Sequence, residues 1–325
     1  MNAVRQKLRE RLTERREVLA ALVEGRRERA LVELVRRVDD AIGALEVGSW
    51  GTCTVCREAV SELQMCTNPL LSVCLDCMGP EDRRALERDL EGAARVQRAL
   101  LPEASLAEGG WEVAYLWEPK GPVSGDHVDL IRSGRPEDPF HVLLGDVAGK
   151  GVSASFLQAH LHALFRALVP AGLPLADLLT RANGLFAEAT LASKYATLAA
   201  LRLHAGGLVE LANAGHPRPL LADARGVRPV EGGGLPLGMF PEATFQTRAL
   251  HLLPGQTLLL YTDGWTEGAK EDEEFGIGRA AATFRKAARL PLPDLLGTCR
   301  EALDRFLGDT PRGDDLSLVA LRRIA

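Results

Sequence analysis

The sequence predicts an α+β protein with a helical, cysteine-bearing front and a longer mixed remainder. Three observations carry this. Residues 3–46 place leucines and valines at helical spacing, five of the six cysteines fall between Cys53 and Cys77, and from about residue 110 short apolar runs alternate with loops and a few long helices. A chain of 325 residues suits two domains better than one. With 46% hydrophobic and 26% charged residues it builds an ordinary core and is not disordered. A net charge of -5 gives no support for a nucleic-acid-binding surface over the whole protein. No apolar stretch approaches a membrane span, and Met1-Asn2-Ala3-Val4-Arg5-Gln6-Lys7 has no signal-peptide core. The expectation is a cytoplasmic protein without a membrane partner.

Within residues 3–46, Leu8, Leu12, Leu19 and Leu22 form one helical stripe, and Leu31, Leu34, Val35, Val38, Ile42 and Leu45 a second. Glu24-Gly25-Arg26 suits a tight connection, so the segment reads either as a short antiparallel hairpin or as one long helix with a flexible glycine. Gly48-Ser49-Trp50-Gly51 breaks the pattern. Gly79-Pro80 then opens a helix from Glu81 to Leu101, which Pro102 stops. Its apolar stripe is Leu86, Leu90, Ala93, Ala94, Val96, Leu100 and Leu101. Further helices are predicted over Ser153–Val169, Leu175–Ala189 and Leu292–Leu307.

Cys53-Thr54-Val55-Cys56 and Cys74-Leu75-Asp76-Cys77 are two C-x2-C turns separated by seventeen residues. Each turn directs two thiolates at one ion, and four thiolates complete a tetrahedral Zn²⁺ site with no open position, so the zinc is expected to be structural. Cys66 reads as a small core residue, with substitution as a ligand the lesser reading, and Cys299 reads as core.

The chemistry lies further on. Aspartates stand just outside apolar runs in Ser124-Gly125-Asp126, Gly145-Asp146-Val147, Thr262-Asp263-Gly264 and Asp314-Asp315-Leu316. The last three adjoin the buried-strand candidates His141–Leu144, Thr257–Tyr261 and Leu316–Ala320. Taken singly, Asp-Gly after a strand is an ordinary hairpin turn. Converging carboxylates, however, repel one another unless a hard cation such as Mg²⁺ or Mn²⁺ neutralises them. The first reading is therefore a metal-assisted hydrolase. Gly145-Asp146-Val147-Ala148-Gly149-Lys150-Gly151 is not a nucleotide phosphate loop, because three residues rather than four separate Gly145 from Gly149 and Gly151, not Ser or Thr, follows the lysine. Lys150 is left to meet a substrate phosphate or to be a solvated turn residue.

Two resemblances sharpen this. Ile42–Cys53, Asn68-Pro69 and Cys74-Leu75-Asp76-Cys77 resemble the DksA/TraR-type zinc finger over roughly residues 30–78. That family implies a contact with RNA polymerase through acidic residues at a coiled-coil tip. Here the tip is Glu24-Gly25-Arg26-Arg27, basic and without Asp-x-x-Asp, which favours sensing or docking instead. The stretch from Leu90 onward resembles the SpoIIE/RsbU branch of the metal-dependent (PPM-type) serine/threonine phosphatases. The matches run in order: Leu90–Pro102, Val123–Asp129, Gly145–Ala154, Asn213-Ala214-Gly215-His216-Pro217, Leu235-Pro236-Leu237-Gly238, Tyr261-Thr262-Asp263-Gly264 and Asp314-Asp315-Leu316-Ser317.

This second resemblance implies two stacked antiparallel β-sheets flanked by helices, with two Mn²⁺ or Mg²⁺ ions at one end. It implies Asp126, Asp146, Asp263 and Asp314 as carboxylate ligands, Val147 as a carbonyl ligand and Asp146 as the bridging group, with Asp129 and Asp315 as neighbours. The implied reaction is attack of a metal-bridging hydroxide on phosphoserine or phosphothreonine, the substrate being a phosphorylated STAS-domain anti-anti-sigma protein. Ser124 departs from the family's Gly-Gly-Asp pattern and is tolerated if its φ stays negative. His127, which replaces an aromatic, reads as a loop histidine beside the cleft or as a group approaching the site, and His216 as a structural loop residue. Glu267–Gly276 reads as a solvated loop or a flap that meets the substrate. The expected organisation is residues 1–79 as hairpin and finger, 80–102 as a linking helix and 103–325 as the phosphatase domain. The 81–101 stripe either pairs two chains or packs on the core. The competing reading is a transcription-associated zinc-finger binding protein with a vestigial phosphatase half.

Overall fold

The computed structural model describes residues 2–25, 29–60, 65, 68–132, 138–149, 151–190 and 194–324. The chain divides into two compact units, Met1–Asp89 and Leu90–Ala325. The first begins with helices α1 (Asn2–Gly25) and α2 (Arg29–Glu46). Their stripes meet as Leu12, Leu19, Val38 and Ala41, with Leu8, Leu34, Ile42 and Leu45 around them. The ion pairs Arg16–Asp39 (2.6 Å) and Arg9–Glu46 (4.0 Å) run in opposite senses along the two helices, so the pair is an antiparallel hairpin rather than one long helix. Arg26, Arg27 and Cys66 lie outside the described residues. The cysteine segment folds around Cys53, Val60 and Met65, with Trp50, Leu71 and Val73 against them.

Helix α3 (Pro80–Leu100) is followed by the strands and helices of the second unit. In order these are β1 (Ser105–Glu108), β2 (Trp111–Glu118), β3 (Asp126–Arg132), β4 (Phe140–Val147), α4 (Val152–Leu168), α5 (Leu175–Ala189), β5 (Ala196–Leu203), β6 (Leu208–Ala214), β7 (Leu220–Asp223), β8 (Gly226–Pro229), β9 (Thr247–His251) and β10 (Thr257–Tyr261). A helical turn α6 (Asp263–Thr266), a small hairpin β11 (Ala269–Lys270) and β12 (Glu273–Glu274), α7 (Gly276–Ala287), α8 (Leu292–Leu307) and β13 (Leu316–Arg323) complete it. One sheet has the order β1-β2-β13-β10-β7-β8, the other β3-β4-β5-β6-β9, and every pairing within them is antiparallel.

Period-2 alternation explains the layering. Val142 and Leu144 of β4, Leu258 and Leu260 of β10, and Val319 and Leu321 of β13 share one core between the two sheets. The intervening residues face helices. Leu143, Val147 and Leu198 pack on Leu161, Phe165, Leu178 and Phe186 of α4 and α5. Leu259, Tyr261, Leu318 and Ala320 pack on Phe284, Leu295, Cys299 and Leu303 of α7 and α8. Strands buried on both faces read as continuous apolar runs, which is why the three strand candidates carried no alternation. Leu144, fully buried between the sheets, makes the point quantitatively: Leu144→Ala leaves a cavity and costs about 2–5 kcal/mol.

The leading helix differs from its predicted stripe at one position. Val96 is 62% exposed, and Gln97 takes the buried place at 4%. Helix α7 was not anticipated; it opens Gly276-Ile277-Gly278, poor helix formers, and is held by Ala280, Phe284 and Ala287 packing on the sheet. Among the described residues no helix is long and apolar enough to cross a membrane.

Candidate active site

The ends of β3, β4, β10 and β13 meet at one end of the sandwich. Asp126 is the first residue of β3 and stands directly opposite Asp146 of β4 in the antiparallel register. Directly opposed side chains on one face lie about 4.5–5.5 Å apart at Cβ, and like charges there destabilise a sheet. Both share the parity of Val128, Val142 and Leu144, so both point between the sheets. Asp263 opens α6 straight after β10, and Asp314 precedes β13.

Electrostatics reports the crowding. Burial, followed by the charge of Asp146, pushes the Asp126 carboxyl well above its usual range. Burial, then Asp263, Asp314 and Asp315, pushes Asp146 up to about 8. The exposed Glu267 is also raised, by partial burial first and then by Asp263, Glu274 and Asp314. The four aspartates expected as ligands are therefore brought into one mutually repelling group, with Val147 adjoining.

Local bonding fixes the group. The Asp315 carboxylate accepts from Ser124 Oγ (2.7 Å), the Gly125 N–H (2.9 Å) and the Lys120 N–H (2.7 Å). It therefore clamps the Ser124-Gly125-Asp126 turn to the start of β13 rather than merely adjoining it. Ser124 Oγ also accepts from the Asp126 N–H (3.0 Å), so serine contributes bonds that a glycine could not make. The φ of Ser124 is not positive, so serine takes this turn without strain. Thr262 donates to Asp126 Oδ2 (3.1 Å) and accepts from the Ser317 N–H (3.0 Å). Gly125 sits in tight space: a Cβ there would lie 3.1 Å from both Asp146 Oδ1 and the Val147 carbonyl oxygen, closer than most Cβ contacts. The Val147 N–H donates to the Gly125 carbonyl (3.3 Å), Ala148 N–H to Tyr195 (2.8 Å), and Lys194 Nζ to the Ala148 carbonyl (3.3 Å).

Two residues expected near the site are elsewhere. His127 and Asp129 have the opposite strand parity to Asp126 and face α4. Asp129, fully buried, accepts from Arg166 at 2.6 and 2.9 Å and lies 3.2 Å from His162 Nδ1. Burial alone would raise it, but these partners outweigh burial and leave it below the usual carboxylate range. His127 is a buried strand residue, not a loop histidine; it stacks on Phe165 and pairs with Gln158 Nε2 (3.3 Å), and burial pushes it down to about 4. His216 has the structural place expected of it. Asn213 bonds both its N–H (2.8 Å) and its carbonyl (2.9 Å), its Nδ1 meets Thr197 Oγ1 (2.9 Å), and burial pushes it down to about 3.

The acidic segment after Asp263 forms the hairpin β11–β12, braced by Arg279. That guanidinium pairs with Glu273, donates to the Glu274 and Phe275 carbonyls (3.0 and 3.1 Å) and lies 4.9 Å over the Phe306 ring. Lys150 lies outside the described residues. Sequence reasoning missed Gln97, whose side chain bonds the Ser124 backbone (2.7 and 2.9 Å).

In the other unit, the sulfurs of Cys53, Cys56, Cys74 and Cys77 all lie within 4.8 Å of one another. Cys56 and Cys74 are 3.8 Å apart. A tetrahedron with Zn–S bonds of about 2.3 Å has an edge of roughly 3.8 Å, so the spacing is compatible with zinc. The Cys74 N–H lies 3.3 Å from Cys53 Sγ and lowers that thiol to about 6, while Cys74 Sγ raises Cys77 to about 12.

Two antiparallel sheets, flanked by helices and carrying carboxylates at one end, define the fold of the PP2C-type phosphatases. The SiaA PP2C domain of Pseudomonas aeruginosa superposes with a TM-score of 0.65 at 23% identity, covering 74% of this chain and 98% of that one. The RsbU and RsbW domains of Rv1364c from Mycobacterium tuberculosis superpose with a TM-score of 0.58 at 29% identity, covering 69% and 62%. The family model described as Stage II sporulation protein E (SpoIIE) matches residues 136–324, more than half of the chain, and the chain belongs to that family. Protein IcfG of Synechocystis sp. is 24% identical over 266 residues, covering 72% of this chain and 41% of that protein. Phosphoserine phosphatase RsbP of Bacillus subtilis is 28% identical over 184 residues, covering 55% and 45%. The chain thus spans less than half the length of these two relatives.

Proposed function

We propose that this chain is a metal-dependent phosphatase acting on phosphoserine or phosphothreonine of a protein substrate. The observation that carries the reading is the in-register pair Asp126 and Asp146, with Asp263 and Asp314 close enough to raise Asp146. Such a set is unstable by itself and complementary to hard divalent cations, which take carboxylate and carbonyl oxygens. Asp126, Asp146, Asp263, Asp314 and the Val147 carbonyl would hold two Mn²⁺ or Mg²⁺ ions. When bound, the ions acidify water and neutralise phosphoryl oxygens. The chain's own contribution is positional: Asp315 and Ser124 fix the Asp126 turn, Thr262 orients the Asp126 carboxylate, and Gly125 leaves room beside Asp146. No protein nucleophile is required, and Cys299 is buried among the helices that back the six-stranded sheet.

RsbP, a relative named as a phosphoserine phosphatase, supports a phosphorylated serine as the substrate group, and a phosphorylated STAS-domain protein is the substrate we propose. Cys53, Cys56, Cys74 and Cys77 would hold one structural Zn²⁺. The test is Mn²⁺-dependent hydrolysis of p-nitrophenyl phosphate and of phosphorylated STAS proteins from the same genome. Activity is expected in the wild type and lost in Asp146→Asn and Asp263→Asn. No turnover of either substrate by metal-loaded wild type would overturn the reading and favour a zinc-finger binding protein.

A further inference from the structure

The part of helix α3 that lies within the second unit carries one buried amide, Gln97. The Gln97 side chain can make four hydrogen bonds and makes three, both of its N–H donors being used. Nε2 donates to the Ser124 carbonyl (2.7 Å) and to Gln158 Oε1 of α4 (3.2 Å), and Oε1 accepts from the Ser124 N–H (2.9 Å). A primary amide that grips both the N–H and the C=O of one residue acts as a one-residue strand and fixes both flanking peptide planes. Ser124 is fully buried, its hydroxyl is committed to Asp315 and to the Asp126 N–H, and the next two residues are Gly125 and Asp126. Gln97 and Asp315 thus hold the same turn from two directions, one from the helix and one from the start of β13. Nothing else on α3 makes a polar bond to this turn among the described residues.

We infer that Gln97 is a positioning residue for the cation site, setting the Ser124-Gly125-Asp126 turn so that Asp126 faces Asp146. This rests on the assignment of those aspartates as metal ligands. The amide suits the task because it is neutral. A lysine or arginine gripping the Ser124 carbonyl would place a cation beside the carboxylates, compensate them and compete with the ions. An apolar residue would leave the buried Ser124 N–H and C=O without partners, and the turn would have to move to recover them. Docking of α3 and divalent-cation affinity are thereby linked through a single side chain.

The test uses the full-length protein with Gln97→Met, which keeps length and loses both donor and acceptor, and with Val96→Ala, an exposed neighbour, as control. Mn²⁺ affinity is read by titration calorimetry, and p-nitrophenyl phosphate turnover is followed across a Mn²⁺ series. Gln97→Met is expected to bind Mn²⁺ about tenfold more weakly, equivalent to roughly 1.4 kcal/mol. Its kcat should return to the wild-type value at saturating Mn²⁺ with KM for the phosphate ester unchanged. Val96→Ala should match wild type. Equal Mn²⁺ affinity in a folded Gln97→Met, or a loss of turnover that added Mn²⁺ does not restore, overturns the proposal. Should Gln97→Met not fold, Gln97→Ala under the same titrations decides. A wild type that neither binds Mn²⁺ nor hydrolyses the ester overturns the metal site itself, whereas a binding wild type with unaltered variants overturns only the role of Gln97.

Discussion

Replacing Asp146 by asparagine should stabilise the ion-free protein and destabilise it relative to wild type once Mn²⁺ is present. Asp146 is pushed up to about 8 by burial and by Asp263, Asp314 and Asp315. At pH near 7.5 the folded, ion-free chain therefore retains a proton that the unfolded chain has released. A displacement of about four pKa units at about 1.4 kcal/mol each sets a ceiling near 5–6 kcal/mol. Water penetration and side-chain relaxation, which give an effective dielectric nearer 20 than 4, reduce the recoverable part to about 1–3 kcal/mol. For a unit of this size that is a rise of roughly 3–10 °C in melting temperature for Asp146→Asn in chelator. The pH dependence has a definite sign. A carboxylate raised in the folded state contributes stability below its unfolded value, and that contribution is lost as pH rises through the folded value. Ion-free wild type should therefore melt progressively lower from about pH 4 to about pH 8, and Asp146→Asn less steeply. Mn²⁺ at a thousand times its dissociation constant adds about 4.1 kcal/mol to wild type and little to the variant, so the order of stabilities inverts. Melts followed by circular dichroism with chelator or Mn²⁺ read all of this. Asp146→Asn melting below wild type in chelator would refute the reasoning, because the cluster would then not be repulsive.

Three further outcomes follow from the same contacts. Arg166→Ala leaves the fully buried Asp129 with only His162 and the Leu130 N–H and should lower stability by about 1–3 kcal/mol while leaving Mn²⁺ affinity within about twofold, because Asp129 faces α4 and not the site; chemical denaturation and calorimetry separate the two effects. Asp315→Ala removes the acceptor for three donors around the Asp126 turn, and each bond to a charged acceptor is worth about 1.5–3 kcal/mol before the relief of repulsion, so both melting temperature and Mn²⁺ affinity should fall. Purified protein should carry about one zinc per chain by mass spectrometry, and Cys74→Ser should lose it; zinc retained in that variant would remove Cys74 from the ligand set.

The site was legible to the extent that chemistry sits at junctions between patterns. Asp146, Asp263 and Asp314 each stand where an apolar run meets a turn, and that boundary is visible in one dimension. Asp129 and His127 were misplaced although the signal was available: strand alternation puts them on the opposite face from Asp126, Val128 and Leu130. Gln97 and the clamp made by Asp315 were not legible. Ser124 is 27 residues from the first and 191 from the second, and a glutamine on a helix reads as solvent-facing until a buried backbone needs its amide. Helix α7 was missed for a related reason. Its first turn carries two glycines, and its stability comes from packing that local propensity does not encode.

Two buried aspartates three residues apart on β3 show why the cluster asks for an external cation. Asp129 is satisfied within the chain: Arg166 makes two bonds to it, His162 lies beside it, and its carboxyl is held below the usual range. Asp126 is as deeply buried, yet its side-chain bonding is to neutral hydroxyl groups, Thr262 among them, and its closest charges are other carboxylates. Among the described residues it has no cationic partner. The fold can therefore compensate a buried charge on this strand, and does so on the face turned to α4. On the face turned between the sheets the charge is left, while uncharged donors from Ser124, Thr262 and Gln97 fix the geometry around it. An uncompensated, immobilised carboxylate group costs stability in the isolated chain and gains it when divalent ions arrive. On the proposed assignment of these aspartates as ligands, the same arrangement that makes the ion-free site unfavourable would favour binding of the ions that relieve it.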